Sequence, residues 1–150
     1  MPMDLKEAIK HKILVLDGAM GTMLQQEGLK EEDYRGQLFG DHSVPLKGMN
    51  DVLSLTRPEL VKSIHQRYLE AGADILTTNS FNANFLSLQP YGLEGKVYEI
   101  NRRAALLARE SIAQYNGDHS STCCFVAGSI GPTDKMSSLS PDVSDPGYRS

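Results

Sequence analysis

Three short apolar runs, separated by segments with helical periodicity, place the strongest constraint on how this chain folds. They lie in residues 13–16, 73–81 and 123–130, and each gives way to glycine or polar residues at its end. Continuous apolar runs are typical of strands buried on both faces, and strands that alternate with helices form a parallel sheet with right-handed crossovers. The order β, α, β, α, β therefore predicts an α/β fold. Because three strands cannot bury both faces well, we expect the first part of a barrel or a sheet without its far strands.

The clearest helix signal begins at Thr56. Thr56 and Glu59 have the spacing of a capping box around Pro58, and Gly72 follows the apolar stripe, so we expect a helix between Thr56 and Gly72. Further helices are expected at residues 5–12, 22–27, 82–88 and 96–115, with a single helical turn at 31–36. The rest of residues 28–50 is predicted to be an irregular segment that either lines a site or packs on the outer surface.

Asp17 is the first candidate functional residue, since it directly follows the first apolar run. Gly18 and Gly21 come next, and glycine permits a tight turn and the close approach of another molecule to the backbone. The C-terminal ends of parallel strands are where α/β folds bind their ligands. Asp17 is therefore either a ligand-binding group or a cap for the turn or the next helix. A nucleotide site is a weaker alternative, because the full Gly-x-Gly-x-x-Gly or Walker spacing is absent.

The second apolar run also ends in polar residues, which would reach the same edge of the sheet as Asp17. These residues are Thr77, Thr78, Asn79 and Ser80. Two polar strand ends on one edge indicate a pocket. Asn79 has a second interpretation, because it is equally well placed to cap the helix expected at residues 82–88. The third run ends in the glycine-lined segment 128–133.

The composition is that of one modest globular domain. The 150 residues are 40% hydrophobic and 23% charged, with a net charge of −4 and a pI near 5.5. This charge and the lack of a basic run argue against a nucleic-acid partner. The apolar runs are too short to span a membrane, and the charged N-terminus lacks the apolar core of a signal peptide. We therefore expect a cytoplasmic protein with no membrane partner.

Cysteine and histidine residues give no metal-site pattern. Cys123 and Cys124 are adjacent, and neighbours in a strand point to opposite faces, so we expect small buried residues rather than a metal pair. His65 lies beside the apolar stripe of its helix and is expected to be a packed or surface residue. No other histidine has a metal-ligand spacing to it.

Six segments occur in the order found in a known family. They are residues 15–22, 47–51, 70–75, 78–82, 126–133 and 140–146. The first contains Asp-Gly-Ala-Met-Gly-Thr, beginning at Asp17. Together the segments closely resemble the homocysteine S-methyltransferase family, and in particular the N-terminal homocysteine-binding domain of cobalamin-dependent methionine synthases. The resemblance runs from about Ile13 to Ser150.

The resemblance implies a (β/α)8 TIM barrel, of which this chain carries about the first three β/α units. Residues 1–150 would then be the truncated N-terminal portion of the barrel domain. In the family, three cysteines on later strands hold zinc, the last two in a Gly-Gly-Cys-Cys motif. Cys123 and Cys124 stand in a different context, on the third strand, so neither is assigned as a zinc ligand. No catalytic residue is assigned to this segment.

The resemblance also implies which residues bind the amino-acid end of L-homocysteine. The aspartate that matches Asp17 binds the α-ammonium group, and backbone amides of the following turn lie near the carboxylate. The turn residues are Gly18, Ala19 and Met20. Asn79 and Ser80 are expected to be second-tier residues of the same rim, together with the turn at Gly131. A carboxylate suits an ammonium group, and unpaired amides before a helix suit an anion.

The reaction implied by the resemblance is methyl transfer to the thiolate of homocysteine, which gives methionine. In the full enzyme, zinc binds the thiolate and cobalamin donates a methyl group that is replaced from methyltetrahydrofolate. The folate and cobalamin modules would be partners in the same protein, and this segment alone would bind neither cofactor. Two alternatives stay open: a stand-alone homocysteine methyltransferase that uses betaine or S-methylmethionine, and an inactive barrel fragment without a metal site. Residues 20–22 and 140–146 favour the cobalamin enzyme.

Overall fold

The computed structural model describes residues 4–118, 124–133, 135, 144–145 and 147 of the chain. Its α-helices are α1 (Leu5–His11), α2 (Met20–Gln26), α3 (Glu31–Arg35), α4 (Leu53–Thr56), α5 (Pro58–Glu70), α6 (Phe85–Leu88) and α7 (Val97–Asp118). Its strands are β1 (Ile75–Thr77) and β2 (Phe125–Ala127), and short 3-10 turns lie at Asn50–Val52, Gln89–Tyr91 and Glu94–Lys96. No helix in the described part of the chain has the length and apolar character needed to cross a membrane.

The sheet is parallel, as the sequence predicts. β1 and β2 pair with Ile75 opposite Phe125, and Leu16 makes an isolated parallel bridge to Ile75. The amide of Asp17 donates to the carbonyl oxygen of Ile75 at 2.9 Å, and this bond fixes the first strand end beside β1. The three strand ends therefore lie side by side in chain order. A closed barrel is not formed by the described residues.

The first predicted strand is reduced to that single bridge. Ile13 is 92% exposed, and Val15 and Leu16 are each more than half exposed. The expectation that this run is buried on both faces is therefore wrong for the chain as described. The physical reason is that this run has a neighbouring strand, β1, on one side only, and within the described part of the chain its apolar side chains stay exposed.

A hydrophobic core lies around the packed helices α5 and α7. Val61 and Ile64 of α5 are fully buried in it. Helical spacing puts five residues on one face of α7, and four of them are fully buried, whereas the last is only partly buried. They are Ile100, Ala104, Leu107, Ser111 and Tyr115. A second cluster of Leu69, Leu76 and Ala108 joins the two helices to β1. Burial of one such leucine side chain contributes about 1.5–3 kcal/mol.

The start of α5 differs from the predicted capping box. Thr56 is the last residue of α4, and its hydroxyl donates to the carbonyl oxygen of Val52 at 3.4 Å. Arg57 takes the N-cap position without a side-chain capping bond, and Pro58 is the first helical residue. The prediction that Thr56 caps α5 is therefore wrong, because the preceding helical turn already uses its hydroxyl. The predicted stop is confirmed, since Gly72 has a φ of +97° directly after the C-cap residue.

The segment before the first 3-10 turn is a folded loop held by an ion pair. The Glu31 carboxylate accepts bonds from the amides of Leu46 at 2.8 Å and Lys47 at 2.7 Å and from Nε of Arg35 at 2.7 Å. The Leu46 amide is the main cause that holds the pKa of Glu31 below its usual value. Leu46 and Met49 are buried in the core. These contacts place the end of the segment, Asn50 and beyond, next to the strand ends.

Candidate functional site

A cavity of about 380 Å³ lies at the C-terminal ends of the strands. It is lined by the turn after the first strand end, by the end of the long loop that joins α3 to α4 (residues 36–52), by the last residue of β1 and the polar residues after it, and by the residue that follows Gly128. These residues are Gly18, Ala19, Met20, Gly21, Asn50, Asp51, Thr77, Thr78, Asn79, Ser80, Phe81, Asn82 and Ser129. Five of the six residues proposed from the sequence thus line one cavity. The sixth, Asp17, is not a lining residue, but it directly precedes Gly18 and is bonded to Thr77, which both line the cavity.

Asp17 is bound by the last residue of β1. The amide of Thr77 donates to Oδ2 of Asp17 at 2.9 Å, and the Thr77 hydroxyl donates to Oδ1 at 2.8 Å. Burial raises the pKa of the Asp17 carboxyl, and the Thr77 amide and hydroxyl oppose that rise. Asp17 does not cap α2, whose N-cap residue is Ala19. The carboxylate therefore joins the first strand end to the second.

The turn after Asp17 lines the cavity and contains backbone amides without an acceptor in the described part of the chain. Gly18 and Ala19 are exposed, and among the described residues no group accepts a hydrogen bond from their amides. The ring of Tyr68 in α5 packs against this turn, and its hydroxyl donates to the carbonyl oxygen of Ala19 at 3.4 Å. A β-carbon on Gly18 would lie 2.8 Å from the Tyr68 hydroxyl oxygen. A side chain at position 18 would therefore require the Tyr68 ring or the turn to move.

Asn79 ties the long loop to the end of β1. Its side-chain amide donates to the carbonyl oxygen of Asn50 at 2.9 Å and to the hydroxyl of Ser54 at 3.2 Å. The helix cap considered for Asn79 is wrong, because Asn84 caps α6 by accepting a bond from the amide of Ser87 at 2.9 Å. Asn79 is nearly buried, with 6% of its surface exposed. Both hydrogens of its side-chain amide are therefore committed to the rim itself.

Ser80 belongs to a second set of bonds, which reaches the third strand end. The hydroxyl groups of Thr78 and Ser80 lie 2.7 Å apart. Ser80 donates to the carbonyl oxygen of Ser129 at 2.9 Å, and the Ser129 amide donates to the Thr78 hydroxyl at 2.9 Å. The bonds of Thr77, Asn79 and Ser80 together join three strand ends and the long loop into one rim.

A family model described as Homocysteine S-methyltransferase matches residues 14–149. The chain belongs to the homocysteine S-methyltransferase family. This confirms the coarser part of the resemblance seen in the sequence.

Three solved structures of a homocysteine methyltransferase, MmuM from Escherichia coli, are similar to this chain. MmuM from Escherichia coli in its metallated form has 27% sequence identity and a TM-score of 0.66, over 85% of this chain and 41% of MmuM. The oxidized form gives 27% identity and a TM-score of 0.67, over 85% and 40% of the two chains. The apo form gives 27% identity and 0.57, over 83% and 38%. This chain thus spans about two fifths of the length of these relatives.

Among the described residues, no group of three histidine, cysteine or acidic side chains could hold a metal ion. Cys124 is partly buried and packs against the cluster of Leu69, Leu76 and Ala108. Cys123 lies outside the described residues. The donor set present in this part of the chain therefore does not fit a zinc site.

Asp51 is a rim residue that the sequence reasoning missed. It is 2% exposed, and its Oδ1 accepts a bond from the amide of Asn82 at 2.8 Å. Burial raises the pKa of the Asp51 carboxyl, and the amides that it accepts from oppose the rise. The available signal was an acidic residue inside segment 47–51, one of the six segments of the family resemblance. Asp51 therefore anchors the turn that follows Ser80.

Proposed function

We propose that this chain is the N-terminal portion of a (β/α)8 barrel that transfers a methyl group to the thiol of homocysteine. Its cavity at the strand ends would bind the amino-acid end of that substrate. The observation that carries the proposal is the turn at Gly18 and Ala19, which lines the cavity next to the half-buried Asp17 carboxylate and whose amides have no acceptor among the described residues. Membership of the homocysteine S-methyltransferase family supports the substrate class.

The Asp17 carboxylate suits the α-ammonium group of homocysteine. Each of its oxygens accepts one bond from Thr77, and a carboxylate oxygen has a second lone pair for a further donor. Since burial raises the pKa of Asp17, an ammonium group beside it would favour the ionised form again. Pairing with a cation therefore removes part of the cost of burying this carboxylate.

The turn amides suit the substrate carboxylate. Gly18, Ala19 and Met20 precede or begin α2, where amides have no partner within the helix. Asn79 and Ser80 would act on the substrate through the rim, because their side-chain hydrogens bind Asn50, Ser54 and Ser129. The two oppositely charged groups of an amino acid would thus meet a carboxylate and a set of amides at one turn.

The methyl donor is a separate part of the proposal. The family resemblance implies zinc and cobalamin in the full enzyme, with folate and cobalamin modules as partners, and zinc would make the homocysteine thiolate available. We assign no metal-dependent step to this chain, because its described residues do not fit the metal. The likeness to MmuM, a homocysteine methyltransferase, supports homocysteine as the methyl acceptor and is compatible with the cobalamin enzyme and with a stand-alone homocysteine methyltransferase. An assay of the full-length protein with methylcobalamin, betaine and S-methylmethionine as donors separates the two, and no activity with any donor would favour an inactive barrel fragment.

Calorimetric titration of the full-length protein with L-homocysteine tests the site. We expect Asp17→Asn to raise the dissociation constant about ten- to a hundredfold, since a charge-assisted bond contributes about 1.5–3 kcal/mol. The metal content should stay unchanged. Asp41→Asn is the matched control, because Asp41 is exposed and does not line the cavity. An unchanged affinity in Asp17→Asn would mean that Asp17 joins the two strand ends and does not bind the substrate.

A further inference from the structure

Thr77, which lines the candidate pocket, binds both carboxylate oxygens of Asp17, the residue directly before the lining turn at Gly18. Its amide contacts Oδ2 of Asp17 at 2.9 Å and its hydroxyl contacts Oδ1 at 2.8 Å. On its other side, β1 pairs with β2, with Thr77 opposite Ala127. The residue that orients Asp17 is therefore itself fixed by the centre of the sheet.

We propose that Thr77 is a positioning residue that makes the pocket specific for substrates with an α-ammonium group, by holding the Asp17 carboxylate in one orientation. This inference rests on the proposed function, because it assumes that Asp17 meets the ammonium group. Two donors on one residue occupy one lone pair of each oxygen, and the remaining lone pairs then have a fixed direction. A carboxylate with a single donor could rotate about its Cβ–Cγ bond.

The neighbouring polar side chains do not share this task. The Thr78 hydroxyl accepts from the Ser129 amide and contacts Ser80, and the Asn79 side chain binds the long loop. Thr77 is thus the first polar residue of the rim and, among the described residues, the one whose side chain donates a hydrogen bond to the Asp17 carboxylate. Its bonds also oppose the rise in the pKa of Asp17 that burial causes, so they favour the charged form that an ammonium group needs.

The test compares two ligands that differ in one group. L-Homocysteine has the α-ammonium group, and 4-mercaptobutanoate has the same thiol and carboxylate without it. In the full-length protein, Thr77→Val keeps the branched shape but removes the hydroxyl. We expect it to weaken homocysteine binding about tenfold and to leave 4-mercaptobutanoate binding within about twofold of wild type, since one charge-assisted bond loses its geometry.

Two further variants serve as controls for the loss of the Thr77 hydroxyl. Thr77→Ser keeps the hydroxyl and should restore homocysteine binding to nearly the wild-type value. Thr78→Val removes a hydroxyl from the adjacent position, whose partners are Ser80 and Ser129, and should leave the ratio of the two affinities unchanged. If Thr77→Val does not fold, Thr77→Ala replaces it in the same comparison.

The outcomes separate this inference from the function on which it rests. Equal losses for both ligands in Thr77→Val, or a Thr77→Ser protein as weak as Thr77→Val, would overturn the role of Thr77 alone. A wild-type protein that binds neither ligand would overturn the proposed function. A wild-type protein that binds both ligands equally would overturn the ammonium subsite and, with it, the specificity assigned to Thr77.

Discussion

The amide of Gly131 donates a 2.8 Å hydrogen bond to the carbonyl oxygen of Phe81, and a β-carbon on Gly131 would lie 2.5 Å from that same oxygen. The turn after β2 therefore touches the turn after β1 through backbone atoms. The ring of Phe81 closes the same gap, since its Cδ1 would lie 2.7 Å from the added carbon. This close approach, rather than an unusual backbone conformation, explains why a glycine suits the position.

We predict that Gly131→Ala separates the two turns and weakens the pocket. An added methyl group in a closed contact costs about 1–3 kcal/mol. Here the methyl group would meet the backbone carbonyl oxygen of Phe81, which cannot shift unless the turn after β1 shifts with it. Urea unfolding measures the stability, and titration with homocysteine measures the binding. Gly128→Ala is the matched control, because nothing lies within 4 Å of a β-carbon there. Similar effects from both substitutions would show that the contact with Phe81 is unimportant.

A second prediction contrasts two glycines of the first turn. A β-carbon on Gly18 would lie 2.9 Å from Cε1 of Tyr68, whereas one on Gly21 would meet only Nδ2 of Asn50 at 3.8 Å. Gly18→Ala should therefore displace the turn and weaken homocysteine binding about tenfold or more. Gly21→Ala should raise helix stability by up to about 1 kcal/mol, because Gly21 lies within α2.

The rescue experiment for this pair uses a smaller side chain in α5. Gly18→Ala combined with Tyr68→Leu should recover part of the lost binding, since the ring that meets the new methyl group is gone. Tyr68→Phe should rescue less, because it removes the hydroxyl but leaves Cε1 in place. Loss of binding that persists in both double variants would mean that the methyl group acts directly on the ligand.

A third prediction concerns the buried amide of Asn79. Asn79→Ala removes the donor to the Asn50 carbonyl and to the Ser54 hydroxyl, both of which lie at or near the cavity. A buried polar group without its partner costs about 1–3 kcal/mol, and we expect a loss of stability in that range. Thermal unfolding of Asn79→Ala and of Asn84→Ala compares the rim with the helix cap of α6. A smaller loss for Asn79 than for Asn84 would contradict the rim role.

Elements with a long repeating pattern could be predicted from the sequence, and those that depend on distant partners could not. α7 spans 22 residues, and its apolar spacing indicates one buried face, which the structure confirms. The first strand failed because its burial requires neighbours that the described chain does not supply. The capping box at Thr56 failed because a preceding turn of helix competes for the same hydroxyl.

The site shows the same division. The polar residues after β1 follow directly from the strand pattern, and so does their position on one edge. Their individual bonds do not follow, because Asn79 binds a loop 29 residues away and Asp17 binds a strand 60 residues away. Asp51 was missed for this reason: its anchor is the amide of Asn82, which only the folded loop brings within 2.8 Å.

The fourth prediction concerns His65, which is fully buried on α5; neither of its ring nitrogens has a hydrogen-bond partner among the residues that the structure describes. Burial lowers the pKa of His65 from 6.5 to about 4. Between these pH values the unfolded chain binds a proton that the folded chain does not. The contribution of His65 to the free energy of unfolding should therefore be constant above about pH 6.5. It should fall as the pH decreases towards 4, by about 3 kcal/mol in all.

His65→Leu should remove this acid-dependent loss, because leucine fills the site without a titrating group. It should also raise stability at pH 7, since two buried nitrogens without partners disappear. The carboxyl groups of Asp17 and Asp51 act in the opposite sense: burial raises their pKa values, so their protonation favours the folded state as the pH falls. Wild type and His65→Leu share those contributions, so they cancel when the free energies of unfolding of the two proteins are subtracted. Unfolding measured at pH 7, 5.5 and 4.5, with the exposed His11→Gln as control, tests the prediction, and parallel curves for wild type and His65→Leu would contradict it.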